Sequence, residues 1–175
     1  MTTNKWAIDA SHSEIQFKIK HLVITTVTGH FTSFNGAMEA DDDFSNAHIN
    51  FEADVNSIST NNEQRDTHLK SADFFDVEKF PKLSFRSTGF EKKGDDEFEL
   101  TGDLSIRDIM RQVTFTVEYG GTATDPWGQV KAGFELKGKI NRKDFGLTWN
   151  ALTEAGGALV SDEVKLAANI QLVKQ

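Results

Sequence analysis

Strict alternation of apolar and polar residues dominates this chain of 175 residues. It is clearest at residues 98–106 and 132–140, where every second residue is apolar or glycine and those between are mostly polar. Successive side chains of a strand point to opposite faces of a sheet, so a period of two predicts strands with one buried and one wet face. Four further segments show the same pattern: residues 15–19, 47–55, 113–119 and 164–172.

Short polar or glycine-containing segments separate these runs and predict turns. They are residues 41–43, Gly94-Asp95-Asp96, Gly120-Gly121, Asp125-Pro126-Trp127-Gly128 and Gly156-Gly157. Strands joined this closely must be antiparallel. About eight such strands with one wet and one dry face are what a closed barrel or a sandwich requires.

One segment, at about residues 60–75, breaks the alternation. It carries Thr60 and Asn62 as candidate helix caps, followed by charged residues. This pattern predicts a short helix or an ordered loop, which we expect to cross one end of the barrel.

Charge and composition exclude several classes of function. The 19 Lys and Arg residues are outnumbered by 27 Asp and Glu residues, which argues against a nucleic-acid partner. Without cysteine the chain can form neither a disulfide nor a thiolate site. Residues 1–6 lack the apolar stretch of a secretory signal, and no apolar run is long enough to span a bilayer. We therefore expect a cytoplasmic protein, or a periplasmic one if a signal was removed.

Small residues at inward positions raise the question whether the barrel is hollow. Although the chain has 14 Phe, alternation places very small side chains inside. These are Ala47, Ala53, Gly102, Ala132, Gly138 and Ala168. One interpretation is a ligand cavity, and the other is that these residues only let facing rings interdigitate. If they border a cavity, enlarging Gly138 or Ala53 to Leu should impair ligand uptake more than folding.

An ordered set of motifs extends over nearly the whole chain. It comprises Trp6-Ala-Ile-Asp-Ala-Ser-His-Ser13, Val27-Thr-Gly29, Phe34-Asn-Gly36, Arg65-Asp66-Thr-His68-Leu69, Ser71-Ala-Asp73-Phe74-Phe75-Asp76, Phe80-Pro81, Leu100-Thr-Gly102, Asp125-Pro-Trp127-Gly128 and Ile140-Asn-Arg142-Lys-Asp144-Phe145-Gly146. Each motif is weak alone, but together and in this order they resemble the YceI-like proteins.

The resemblance implies a lipocalin-like barrel whose long internal pocket takes polyisoprenoids or other long-chain amphiphiles, and it does not imply an enzyme. We therefore predict an all-β fold: a single extended antiparallel eight-stranded β-barrel forming one domain over residues 1–175. One departure concerns the segment after Ile106, where Arg107-Asp108-Ile109 replaces a glycine-containing turn of the family. We expect a changed turn there.

We predict an apolar ligand-binding wall and a separate set of head-group contacts. The wall comprises Phe17, Ile19, Phe34, Met38, Ile49, Phe51, Leu69, Phe74, Phe75, Phe85, Leu104, Phe115, Phe134 and Trp149. The head-group candidates are Arg65, His68 and Lys70, since guanidinium can bind a phosphate or carboxylate in bidentate fashion. Asp66 is expected either to join this site or to pair with a neighbouring base and fix the loop.

No catalytic, cofactor or metal site is predicted. The five histidines lack compact ligand spacing, and hydrolase or phosphate-loop motifs are missing from the sequence. Trp6, Trp127 and Trp149 are interpreted as barrel plugs. Two alternatives to a lipid carrier stay open: an enzyme acting on a lipid or small hydrophobic substrate, and a filled barrel used as an interaction surface, for instance in a homodimer.

Overall fold

The computed structural model describes residues 3–150 and 160–175. In these residues every strand belongs to one antiparallel sheet, and the only α-helix is α1. The elements are β1 Thr3–Ile8, β2 Glu14–His21, β3 Thr25–Phe31, β4 Phe34–Asp41, β5 His48–Asp54, β6 Ile58–Ser59, α1 Glu63–Lys70, β7 Lys82–Lys92, β8 Glu97–Ile106, β9 Ile109–Thr124, β10 Val130–Asn141 and β11 Val160–Lys174.

The described strands combine into a closed barrel with eight staves. Three staves are interrupted strands: β1 with β2, β3 with β4, and β5 with β6. Each stave pairs with the next along the chain, and β11 closes the barrel by pairing with both β1 and β2. Closure removes most of the exposed edges of the sheet. The predicted all-β, eight-stranded antiparallel barrel is confirmed, and α1 lies within the segment predicted as a short helix or ordered loop.

The interruption between β1 and β2 is held by hydrogen bonds to Asp9. Its carboxylate accepts from the amide of Ser11 at 3.2 Å and lies 2.8 Å from Nδ1 of His12. Lys131 of β10 approaches the same carboxylate at 3.4 Å. These contacts, first that of Ser11 and then that of His12, hold the pKa of Asp9 well below its ordinary value. The bend is therefore fixed to β10, which lies beyond the adjacent strand β11.

One of the predicted turns is wrong, and another lies outside the described residues. Gly120 and Gly121 do not form a turn, because β9 continues to Thr124. Gly121 pairs with Gly133, whereas the next pair is Tyr119 with Phe134, so Gly120 is an extra residue in a β-bulge. The turn predicted at Gly156-Gly157 lies outside the described residues.

An aromatic cluster plugs the end of the barrel opposite α1. Phe44, in the β4–β5 turn, packs its ring at 5.2 Å from Tyr119 and 5.3 Å from Phe134. Trp6 and Phe98 complete the cluster, at 6.0 and 6.4 Å from Phe44. Both are buried. This end of the barrel is therefore filled by side chains.

Of the three tryptophans interpreted as plugs, Trp6 is buried in this cluster. Trp127 is 84% exposed in the β9–β10 turn, so its interpretation as a plug is wrong. The proline and glycine beside it form a turn whose amides bond to Asp125, and nothing in that arrangement buries the indole.

Candidate functional site: an apolar cavity

The barrel encloses a cavity of about 640 Å³ above the aromatic plug. Its wall is overwhelmingly apolar and includes every inward position of β11 from Val164 to Leu172. Inward side chains such as Ile19, Phe51 and Leu166 are only partly buried, although they face the barrel interior. They border open space instead of packing against the opposite wall.

The structure places most of the predicted wall residues around this cavity. Those that line it are Phe17, Ile19, Met38, Ile49, Phe51, Leu69, Phe74, Phe75, Phe85, Leu104, Phe115, Phe134 and Trp149. Phe34 does not line it and packs at 6.0 Å from the ring of Phe51. That these side chains contact a ligand stays a prediction.

The small inward residues do not create the cavity in the way the sequence suggested. Of the six, only Ala168 lines it. A Cβ added to Gly102 would lie 2.5 Å from the ring of Phe85, and one added to Gly138 would lie 2.7 Å from that of Phe115. Ala53 is fully packed. The expectation for Gly138→Leu and Ala53→Leu is therefore corrected: both sites are packed, and enlarging them should damage folding first.

Polar side chains gather where α1 and its cap meet the cavity. Arg65 and His68 line the cavity, and Lys70 does not. Nε of Arg65 donates to the hydroxyl oxygen of Thr60, and Nη2 donates to the carbonyl oxygen of Thr60, both at 2.7 Å. Asp66 accepts from the amide and hydroxyl of the same Thr60, at 2.8 and 2.5 Å. Asp66 thus fixes the loop, as one of its two interpretations expected, but it does so through Thr60 and not through a base.

Aromatic rings cover the cavity beside this polar group. The imidazole of His68 lies 4.7 Å from the ring of Trp149 and 5.1 Å from that of Phe74. Its Nε2 is 2.9 Å from a carboxylate oxygen of Asp73, which fixes the orientation of the ring. Phe75 packs at 6.4 Å from Phe31 of β3. The segment after α1 therefore forms an apolar cover attached to the barrel wall.

Arg142 is a lining residue that the sequence reasoning missed. It is 2% exposed, and it donates to the carbonyl oxygens of Leu147 at 2.6 Å, Trp149 at 2.8 Å and Ser161 at 2.9 Å. Burial lowers the pKa of this guanidinium, and Asp162 opposes that effect. The apolar series 132, 134, 136, 138 and 140 continues to 142, so parity alone would have placed this arginine inside.

Solvent reaches the cavity between α1 and the β2–β3 hairpin. Asn62, Gln64 and Arg65 of the α1 segment line the cavity and are also exposed, as is Lys20 near the end of β2. The strand β3 bonds to β6 only at His30 and Phe31, so the rest of that edge is unpaired among the described residues. We call this side of the barrel the open end.

Two further features are absent from the described residues. No three His, Asp or Glu side chains there come together in a way that could hold a metal ion. No helix in the same residues is both long and apolar enough to cross a membrane.

The closed antiparallel barrel, plugged at one end and hollow towards the other, defines a lipocalin-like barrel with an internal apolar cavity. Residues 6–172 match the family model of the YceI-like domain. The chain therefore belongs to the YceI-like family, as the motifs indicated.

Relatives and solved structures agree with this assignment. Protein YceI of Salmonella newport is 38% identical over 168 residues, which cover 95% of this chain and 84% of the relative. The YceI protein of Campylobacter jejuni is 30% identical with a TM-score of 0.77, covering 90% of this chain and 91% of that one.

More distant structures share the fold. BcnA of Burkholderia cenocepacia has a TM-score of 0.82 at 19% identity and covers 94% of this chain and 98% of its own. The polyisoprenoid-binding domain from Saccharophagus degradans has a TM-score of 0.71 at 13% identity and covers 97% of this chain and 98% of its own.

Proposed function

We infer that this protein binds one long-chain amphiphile, an isoprenoid or an acyl derivative, with the tail inside the barrel. The observation that carries this proposal is the apolar cavity of about 640 Å³. Its volume falls within the range of about 300–1,000 Å³ that is typical of small-molecule sites. Its polar lining residues are concentrated at the open end, which suits a molecule with one apolar and one polar end.

The shape of the cavity favours an extended ligand. The strand β11 contributes wall residues from Val160 to Leu172, a contour of about 40 Å at roughly 3.3 Å per residue. Wall residues therefore occur along nearly the whole of β11, so the cavity is elongated along that strand. A linear tail therefore fits better than a compact molecule.

Burial of the tail supplies the affinity. Each methylene removed from water contributes about 0.8 kcal/mol, so a dozen carbons contribute about 10 kcal/mol before the losses of chain ordering and association. Binding of this kind requires no charged contact in the barrel interior.

Arg65 is the candidate that we assign to the head group. Thr60 holds Nε and Nη2 of its guanidinium, while Nη1 has no protein partner among the described residues. Arg142, in contrast, donates its hydrogen bonds to backbone carbonyl oxygens of the segment that follows β10 and of the start of β11. A phosphate or carboxylate beside α1 would accept charge-assisted hydrogen bonds from the side chains of Arg65 and Lys20.

The structural relative from Saccharophagus degradans supports an isoprenoid as one candidate, since it is a polyisoprenoid-binding domain of the same fold. Fold likeness does not choose among ligands, so the proposal covers isoprenoid and acyl chains alike.

Native mass spectrometry of gently purified protein tests the proposal. We expect a bound species of one amphiphile per chain, and a higher melting temperature after addition of geranylgeranyl phosphate or palmitate. Protein that carries no lipid and gains no stability with either probe would contradict it.

Blocking the cavity provides a second measurement. Ala168 lies in the wall between Leu136 and Ile15, its paired residues on β10 and β2. Ala168→Phe should weaken probe binding by at least about tenfold, because the ring occupies space meant for the tail. The matched control is Ala123→Phe, which adds the same ring at an exposed position of β9 and should leave binding unchanged. Equal affinity of both variants would place the ligand elsewhere.

A further inference from the structure

An exposed apolar turn stands at the open end of the barrel. It joins β2 to β3 through Leu22, Val23 and Ile24, whose exposed fractions are 38%, 74% and 77%. Among the described residues only Met110 and Trp127 are other large apolar side chains so exposed. Three consecutive aliphatic side chains at one tip form a continuous apolar surface of the kind that marks an interaction site.

The backbone conformation of this turn does not account for the aliphatic residues that occupy it. Leu22 and Val23 have φ angles of 55° and 65°, in the left-handed region. Asn, Asp and Gly normally occupy such positions in hairpin turns, and the region is unfavourable for a β-branched valine. Leu22 and Val23 are therefore poor choices for the turn itself, and Val23 and Ile24 bury little apolar surface within the chain.

A row of lysines lies on the outer surface below the turn. Lys18 of β2 pairs with Lys165 of β11, which pairs in turn with Lys139 of β10. All three are exposed, and none has an ion-pair partner in the part of the chain that the structure describes. Like charges at directly paired positions repel each other. The row contrasts with the net charge of -8 for the whole chain.

Two acidic residues of β11 lie near this row, and neither forms an ion pair with its lysines in the described part of the chain. Glu163 is two residues from Lys165 on the same strand and is exposed. Asp162 is engaged by Lys143 at 3.4 Å and by Arg142 at 3.7 Å. The surface next to the apolar turn is therefore locally basic.

We propose that the turn and the lysine row dock the protein on an anionic lipid surface. Leu22, Val23 and Ile24 enter the membrane interface, and the lysines face acidic head groups. A lipid surface supplies negative charge and apolar depth together. A second copy docked symmetrically through this face would bring lysine row against lysine row, which is unfavourable.

The position of the turn connects docking with the cavity. Lys20 and His21, which directly precede the turn, line the cavity. Docking here brings the open end of the barrel against the surface from which an amphiphile would be taken or to which it would be delivered. Only this link to transfer depends on the proposed function, because docking itself follows from the exposed surface.

Vesicle flotation of the full chain tests the proposal. Wild-type protein should float with vesicles of equal parts phosphatidylglycerol and phosphatidylcholine at low salt, and less with phosphatidylcholine alone or at high salt. In Leu22→Asn/Val23→Gly the turn receives residues suited to its backbone, so the fold should be retained. We expect this variant to need at least about ten times more lipid for half-saturation.

Two further variants separate the contributions. Trp127→Ala removes an exposed apolar side chain at the opposite end of the barrel and should float like the wild type. Lys18→Gln/Lys139→Gln/Lys165→Gln should lose between about tenfold and about a hundredfold in affinity for anionic vesicles and little for neutral ones, since each lysine near an anionic surface contributes up to about 1 kcal/mol.

Several results would overturn the proposal. They are absence of wild-type flotation on anionic vesicles, flotation of the turn variant equal to that of the wild type, or a turn variant that loses self-association while still floating. Binding of a soluble amphiphile by the turn variant is measured in parallel, because the turn does not line the cavity. If the turn variant still binds the amphiphile, failure of docking leaves the cavity proposal standing. If Ala168→Phe still floats with vesicles, failure of the cavity proposal leaves docking standing.

Discussion

Glycine and phenylalanine act as pairs in the wall of this barrel. The ring of Phe17 lies over Gly29, its direct partner on β3. The ring of Phe85 lies over Gly102 of β8, and that of Phe115 lies over Gly138 of β10. All three rings line the cavity. A glycine in a strand leaves backbone uncovered, and an aromatic ring from the neighbouring strand can cover it. The glycines therefore orient the aromatic wall without widening the cavity themselves.

Substitution of Gly102 by alanine tests this pairing. The added Cβ would lie 2.5 Å from the ring of Phe85 that covers Gly102, and 2.4 Å from the backbone oxygen of Arg86, which cannot easily move away. We expect Gly102→Ala to lower the free energy of unfolding by about 1–3 kcal/mol in urea titrations. Gly89, on the adjacent strand β7, is the control, because a Cβ there meets nothing within 4 Å. Gly89→Ala should be neutral or stabilising by roughly 0.5–1 kcal/mol. Equal effects at both sites would contradict the pairing.

At the residue scale, the sequence predicted which side chains point into the barrel, but it did not predict which side chains they contact. The alternation correctly predicted that Phe17, Phe115 and Ala168 point inward, because it depends only on neighbours along one strand. It could not tell that Gly138 lies beneath a ring while Ala168 faces open space. That difference depends on the side chain of the adjacent strand, which alternation within one strand does not report.

At the scale of elements, the connection between β10 and β11 depends on one buried side chain. Arg142 donates to the carbonyl oxygens of Leu147 and Trp149 within this connection and to that of Ser161 at the start of β11. The carbonyl oxygen of Arg142 also accepts from the amide of Leu147 at 3.1 Å. Trp149 is thereby held against His68, so the same arginine supports the cover of the cavity.

Replacement of Arg142 by methionine should uncouple this connection. We expect a loss of at least about 2 kcal/mol in unfolding free energy, because several carbonyl oxygens lose their donor in a buried place. Hydrogen exchange at the amides of Leu147 and Val160 should accelerate. Lys143→Met is the control: Lys143 is exposed, and among residues 3–150 and 160–175 its ammonium forms an ion pair only with Asp162, at 3.4 Å, so its removal should have little effect. A stability equal to that of the control variant would show that the arginine does not organise the connection.

The elements themselves could be predicted in part. The period of two located most strands, since it needs only local sequence. The interruptions at residues 9–13 and 55–57 were not predicted, because their fixing contacts come from elsewhere, such as Lys131 on β10 for Asp9. Gly120-Gly121 was taken for a turn, although the same residues form a bulge inside β9. Glycine permits both conformations, and pairing with β10 decides between them.

For the whole molecule, one plugged end and one open end give the cavity a direction. The aromatic cluster around Phe44 closes the barrel at one end, and the polar residues around Arg65 stand at the other. An amphiphile therefore has one orientation that buries its tail and leaves its head group near α1. The family motifs anticipated a barrel with a pocket, but the identity of the plugged end required the tertiary contacts of Phe44.

A crystal structure with a long-chain fatty acid brominated at its far end tests the hollow barrel most directly. We predict one anomalous bromine peak inside the barrel, between Ala168 and Phe134, with the carboxylate beside Arg65. Bromine density only on the outer surface, or an interior closed by side chains between those residues, would contradict the account.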